Sequence, residues 1–154
     1  MKNYLLGLVV VSAFLLGGCA SNKGMTELTQ VTGNAEQITI VRDTETRDSV
    51  QPVLEQWFAD NNYQYNVVQS IDEAKDTDNV FTYRAWWGWD LALYMSKVEM
   101  KVTNNNVPVG IAKFDALQYG GFGKFGNAET RLKIIMDVLF SKITEQEANT
   151  LLGK

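Results

Sequence analysis

The sequence predicts an α/β chain of the α+β type: a two-layer sandwich whose mixed sheet of about five strands carries two main helices, in the order β-α-β-β-β-β-α. Three observations predict it. Val50–Phe58 and Leu132–Ile143 repeat apolar residues at helical spacing. The first of these lies between two short β-branched runs, which reads as a right-handed strand-helix-strand unit with parallel strands. The stretch beginning at Asn79 is β-rich and too long for one strand, so it must fold back on itself.

In chain order, Ile38–Arg42 is the first predicted strand. Asp48 is placed to cap a helix from Ser49, with Gln51 three residues on. Val50, Val53, Leu54, Trp57 and Phe58 form its apolar face, and Pro52 is tolerated because it falls in the first turn. The helix ends near Asn61-Asn62, Tyr65–Gln69 is the second strand, and residues 70–79 are an acidic surface connection. Gly88 suits the first central position of a type II′ turn, Trp87-Gly88-Trp89-Asp90, which would set Tyr83 opposite Tyr94 and Ala85 opposite Ala92. Asn104-Asn105 suits a type I′ turn that would pair Val102 with Val107, Met100 with Val109, and Val98 with Ile111. After a glycine-rich link, Asn127 can cap a helix whose stripe is Leu132, Ile135, Met136, Leu139, Phe140 and Ile143. Thr144 and Glu147 match a capping box for a short terminal helix reaching Leu152.

The N-terminus carries a different signal. Lys2, an apolar run from Tyr4 to Leu16 and then Leu16-Gly17-Gly18-Cys19 have the order of a secretory signal. The run is shorter than the roughly 20 residues a membrane-spanning helix needs. The tetrapeptide resembles the lipobox of bacterial lipoproteins, which implies cleavage before Cys19 and acylation of its sulfur and new amine. The covalent diacylglycerol and N-acyl chains, at about 0.8 kcal/mol per buried methylene, would form a stable anchor. An ordinary signal peptide with a chance cysteine is the alternative. In Gram-negative lipoproteins an aspartate after the cysteine implies inner-membrane retention; here that position is Ala20, which implies the periplasmic face of the outer membrane. The predicted organisation is residues 1–18 as signal, 19–37 as lipidated N-terminus and flexible tether, and 38–154 as one domain.

Removing 18 of 154 residues leaves 136, which suits a single core. The signal takes one of 14 basic residues and none of 18 acidic ones, so the mature chain has a formal charge of −5. That balance disfavours nucleic acid or an anionic bilayer as an electrostatic partner. Histidine is absent and Cys19 is the sole cysteine, so the chain has neither an imidazole-activated nucleophile nor an imidazole or thiolate zinc site, and no internal disulfide. No cofactor is expected beyond the lipid.

Three features are candidates for chemistry. Gly121, Gly123 and Gly126 spell G-x-G-x-x-G between a strand and a helix, where amides can meet phosphate. A dinucleotide fold needs a further parallel strand and an acidic residue beyond it, the chain is nearly over, and Glu129 occupies the first helical turn; no nucleotide is expected, and the segment reads as a loop or close-packed turn. Trp86, Trp87 and Trp89, beside Arg84, are the densest feature, with faces suited to sugar or peptide. Alternation places Trp86, Leu91, Leu93, Met95 and Phe114 on the back of the sheet, opposite a polar end with Lys97, Glu99 and Lys101. That apolar patch must be covered, by the chain's own tether or glycine-rich loop, by an envelope protein, by a second copy, or by glycan. Asp90 and Asp115 are the carboxylates in apolar surroundings, where a carboxyl pKa would rise.

Trp87-Gly88-Trp89-Asp90-Leu91-Ala92-Leu93-Tyr94 and Lys124-Phe125-Gly126-Asn127-Ala128-Glu129-Thr130-Arg131 resemble motifs of a small, uncharacterised family of proteobacterial lipoproteins, a likeness extending over most of the mature domain. It implies no particular activity. The element order also resembles small α/β outer-membrane lipoproteins that assist envelope assembly, an analogy of fold alone. The expected function is therefore a non-enzymatic accessory or scaffold that binds an envelope protein through Trp86, Leu93 and Phe114. The alternatives are a glycan or small-ligand module using the tryptophans and Arg84, and a carboxylate-only hydrolase centred on Asp90.

Overall fold

The structure is a computed structural model that describes residues 24–33 and 35–153. The signal peptide and Cys19 lie outside the described residues. The fold is α+β: six strands in the order β1-β6-β5-β4-β2-β3 and three helices. The strands are β1 (Met25–Thr29), β2 (Gln37–Val41), β3 (Gln64–Val68), β4 (Asn79–Asp90), β5 (Ala92–Asn104) and β6 (Val107–Asp115). The helices are α1 (Val50–Asp60), α2 (Ala128–Leu139) and α3 (Glu145–Leu152). As the front of the sequence predicts, β2 runs parallel to β3, and it is also parallel to β4. Strands β4, β5 and β6 form the expected antiparallel meander.

The sixth strand is β1, inside the stretch read as flexible tether. It pairs antiparallel with β6, with Met25 opposite Phe114 and Glu27 opposite Lys113. Its pattern is weak because an edge strand needs few apolar anchors: Met25 is buried while Thr26, Glu27 and Thr29 face solvent. The domain therefore begins before Ile38. The cap of α1 also differs. Ser49 is the N-cap without a side-chain bond, Asp48 pairs with Arg42 at 3.1 Å, and Gln51 donates to Glu55 at 2.8 Å. The α2 cap and the α3 capping box form as expected: Asn127 Oδ1 accepts from the Thr130 amide at 2.8 Å, and Thr144 and Glu147 bond reciprocally.

Both hairpins turn later than the sequence suggests. The first reverses at Leu91 (φ +61°), with Asp90 opposite Ala92, and a bulge between Trp86 and Trp87 leaves Tyr83 opposite Met100. Gly88 serves close approach instead of the turn: a Cβ there would lie 2.8 Å from the Tyr94 ring. The second reverses at Asn105-Asn106 (φ +48° and +64°), and a bulge near Val102 sets Val98 opposite Phe114 and Met100 opposite Ala112. The side-chain period in a strand is two, so an odd shift exchanges the faces. Met95 and Phe114, expected on the back of the sheet, consequently lie in the core.

That core fills the space between one sheet face and the helices. Phe58 of α1 meets Phe81 of β4, Tyr63 and Phe140 edge-on at centroid distances of 5.2, 5.7 and 5.5 Å. Trp57 donates its indole N–H to Asp137 at 2.7 Å, joining α1 to α2. Truncating Phe58, which is fully buried, should cost about 3–5 kcal/mol. Urea titration of Phe58→Ala should show this as a lowered midpoint; a loss below about 1 kcal/mol would mean that the cluster is not the core.

Candidate functional site

The α-helices cover one face of the sheet; among the described residues no α-helix covers the other, where the connection after β3, with its short helical turn Ile71–Ala74, shields only the β2–β3 end and buries Thr39. That open face carries Arg84 and Trp86 on β4, Lys97, Glu99 and Lys101 on β5, Ile111 and Lys113 on β6, and Glu27 on β1. Opposite charges pair across strands: Lys113 with Glu27 at 2.7 Å and Lys97 with Asp115 at 3.8 Å. An open concavity of about 440 Å³ lies on this face, lined by Arg84, Trp86, Glu99, Lys101 and Lys113 among others. Its volume falls in the range of small-ligand sites.

Arg84 is fixed from one side. Its guanidinium donates twice to Asp43 at 3.0 Å and pairs with Glu45 at 2.9 Å. Beyond residue 82 β4 has lost its β2 neighbour, and the loop after β2 replaces it. Thr46 accepts from the Ala85 amide at 2.9 Å, and Arg47 lies over the Trp87 ring at 4.8 Å. Burial alone would raise the Asp43 carboxyl; hydrogen bonds from Arg84, Thr46 and the Glu45 amide, with the Arg84 charge, hold it below the usual aspartate value.

The tryptophans do not form one platform. Trp86 stands on the open face, 38 % exposed. Trp87 is half-buried under Arg47, and its indole N–H is buried without a hydrogen-bond partner among the described residues. Trp89 is far more exposed and sits opposite Leu93 at the end of the β4–β5 arm. Phe114, expected at the centre of a docking patch, is buried beneath Tyr119 and Arg131. It belongs to the core face, so the expected back-face patch of Trp86, Leu93 and Phe114 does not form. Asp90 and Asp115 are not in purely apolar surroundings. Asp90 pairs with Lys124, while Asp115 accepts from the Leu117 amide at 2.9 Å and pairs with Lys97.

The segments Trp87–Tyr94 and Lys124–Arg131, far apart in sequence, meet in space. Besides the Asp90–Lys124 ion pair, Tyr94 packs edge-on against Phe125 at 5.4 Å. Arg131 of α2 holds the loop. Its guanidinium is buried, donates to the carbonyls of Lys124 (2.8 Å) and Gly123, and lies over the Phe114 and Tyr119 rings at 5.3 and 5.7 Å. Burial lowers its pKa below the ordinary arginine value. Gly126 is glycine because a Cβ would lie 2.4 Å from that guanidinium. Two loop carbonyls thus converge on a cation, whereas a phosphate cradle presents amide N–H groups. Sequence reasoning missed Arg131 and Lys124 as structural actors. The available signal was a cation beside Leu132 in the otherwise apolar face of α2.

Comparisons with protein-family models, with curated proteins and with solved structures find no significant match to this chain.

The folded Asp43 carboxyl titrates below its unfolded value, so its contribution to stability is present above about pH 4 and is lost as pH falls through the lowered value. Asp43→Asn should therefore lower the urea midpoint at neutral pH and flatten the acid limb; an unchanged acid limb would mean the carboxylate is not held as described. Removing the Arg131 guanidinium leaves two carbonyls short of a donor, a cost of about 1–3 kcal/mol each. In a double-mutant cycle Gly126→Ala should destabilise the native protein but cost far less alongside Arg131→Ala. Additive losses would contradict the contact.

Proposed function

We propose that this chain is a lipid-anchored envelope lipoprotein, tethered through acylated Cys19 at the periplasmic face of the outer membrane, and that its domain works by binding instead of catalysis. The uncovered sheet face is its docking surface for an envelope protein. The supporting observation is that Trp86 and Lys101 stand exposed on this face, beside an Arg84 already oriented by Asp43 and Glu45. Preorganised arginine next to a partly exposed tryptophan is the composition of an interface anchor. The lipobox supports the anchor, and Ala20 supports the outer-membrane address. Membership of the small proteobacterial lipoprotein family resembled by the two motifs belongs to the same proposal. A second reading, a small polar envelope ligand such as a glycan fragment, is favoured by the size of the concavity beside Trp86.

Crosslinking in intact envelopes tests the docking surface. Trp86→Ala and Lys101→Glu should leave the fold intact and each reduce recovery of the crosslinked partner about tenfold or more, the loss of an anchor worth at least 1.4 kcal/mol. Undiminished recovery in both would remove the open face from the account. Cys19→Ala should abolish fatty-acid labelling and leave the signal segment uncleaved, seen as an unshortened chain by mass; labelling or normal shortening in the variant would contradict the anchor.

A further inference from the structure

The end of the β4–β5 arm is apolar and uncovered. Trp89 is 74 % exposed, Leu91 84 % and Leu93 44 %, and Phe122 in the glycine-rich loop is 86 % exposed. These residues belong to one end of the molecule: the Phe122 ring lies 6.4 Å from Phe125 at a tilt, Phe125 packs on Tyr94, and Leu93 is cross-strand partner of Trp89. Large apolar groups gathered at one exposed end mark a protein or membrane contact site. The other end of β5 closes with Asn104, Asn105 and Asn106 instead.

The start of the described chain lies at the same end as the apolar groups. The carbonyl of Gly24 accepts from the Asp115 amide at 2.8 Å, and its amide donates to Gln118 at 3.2 Å. A Cβ on Gly24 would collide with Tyr119, the residue that also packs against Gly123, next to Phe122. Asp115 is opposite Lys97, five residues along β5 from Ala92, or about 17 Å at strand spacing. Cys19 precedes Gly24 by five residues, whose greatest reach is also about 17 Å. An acyl anchor on Cys19 therefore keeps this end of the domain within reach of the bilayer surface.

We propose that Trp89, Leu91, Leu93 and Phe122 form a bilayer-contacting surface that seats in the interfacial layer of a zwitterionic phospholipid leaflet, beside the lipid anchor. This rests on the reading of Cys19 as acylated. Indole and phenyl rings partition to the headgroup boundary, and leucine enters the acyl region. The acidic balance of the chain makes this an apolar contact, not an electrostatic one. One consequence is orientation: a single flexible anchor leaves a domain free to tumble, while a second contact fixes which way the open sheet face points.

The test uses the full lipidated protein in vesicles of phosphatidylcholine and phosphatidylethanolamine carrying brominated acyl chains, with mass measurement of Cys19 on the same sample. Bromine quenches tryptophan only at close range, so the wild type should be quenched. Trp89→Phe should lose most of that quenching, and Leu91→Asp, at a positive φ that aspartate tolerates, should reduce it, with both effects insensitive to salt. A lipidated, vesicle-bound protein with no quenching overturns the membrane contact and leaves the anchor standing. The same result with Trp89 crosslinked to a second copy or to another protein assigns the tip to that partner, which also overturns it. A Cys19 carrying no lipid overturns the anchor reading and this proposal with it.

Discussion

A guanidinium in the interior must be fully satisfied or it destabilises everything around it, and Arg131 is satisfied by the loop that precedes its own helix. Among the described residues no carboxylate forms an ion pair with it; two carbonyls and two aromatic faces surround the charge. If the glycine-rich segment left, a cation would be stranded in the core. Departure of the segment is therefore opposed by the desolvated charge as well as by the two hydrogen bonds. Through Lys124 and Phe125 the segment holds the β4–β5 arm, which extends beyond its sheet neighbours on both sides. The arm's other side is held by Arg47 over Trp87. Arg131 is thus the origin of a chain of contacts that ends in exposed rings on an ordered frame.

The two faces of the sheet are consequently divided in role. One is filled by α1 and α2 around Phe58 and Ile135. The other keeps alternating charges and Trp86 in solvent, a patterned polar surface. In the proposed setting the acyl chains supply membrane affinity, the apolar tip supplies orientation, and the open face is presented to the periplasm.

Elements governed by local chemistry were legible in the sequence. The α2 stripe and the Asn127 cap, the Thr144–Glu147 capping box and the parallel β2–β3 pair follow from spacing and cap residues alone. Positions set by tertiary contact were not. Leu91 carries no turn signature, because leucine rarely adopts positive φ, while Gly88 looked like a turn residue although its requirement is the Tyr94 ring. Each bulge adds one residue that no pattern announces, and those single residues moved Met95 and Phe114 into the core. At the site, the exposure of Trp86 was legible from alternation, whereas Leu93, expected on the same face, shares the face of buried Met95 and is exposed because the arm extends beyond its neighbours. The clustering of three tryptophans in sequence was misleading, since neighbours in a strand point to opposite faces.

Amide hydrogen exchange on the intact protein tests most directly whether Arg131 couples the loop to the arm. The account predicts that amides of residues 87–94 and of 120–126 open with one shared free energy, well protected in the native protein, and that Arg131→Met accelerates both sets together. A loop that exchanges freely while the arm stays protected, or an arm unaffected by Arg131→Met, would contradict it.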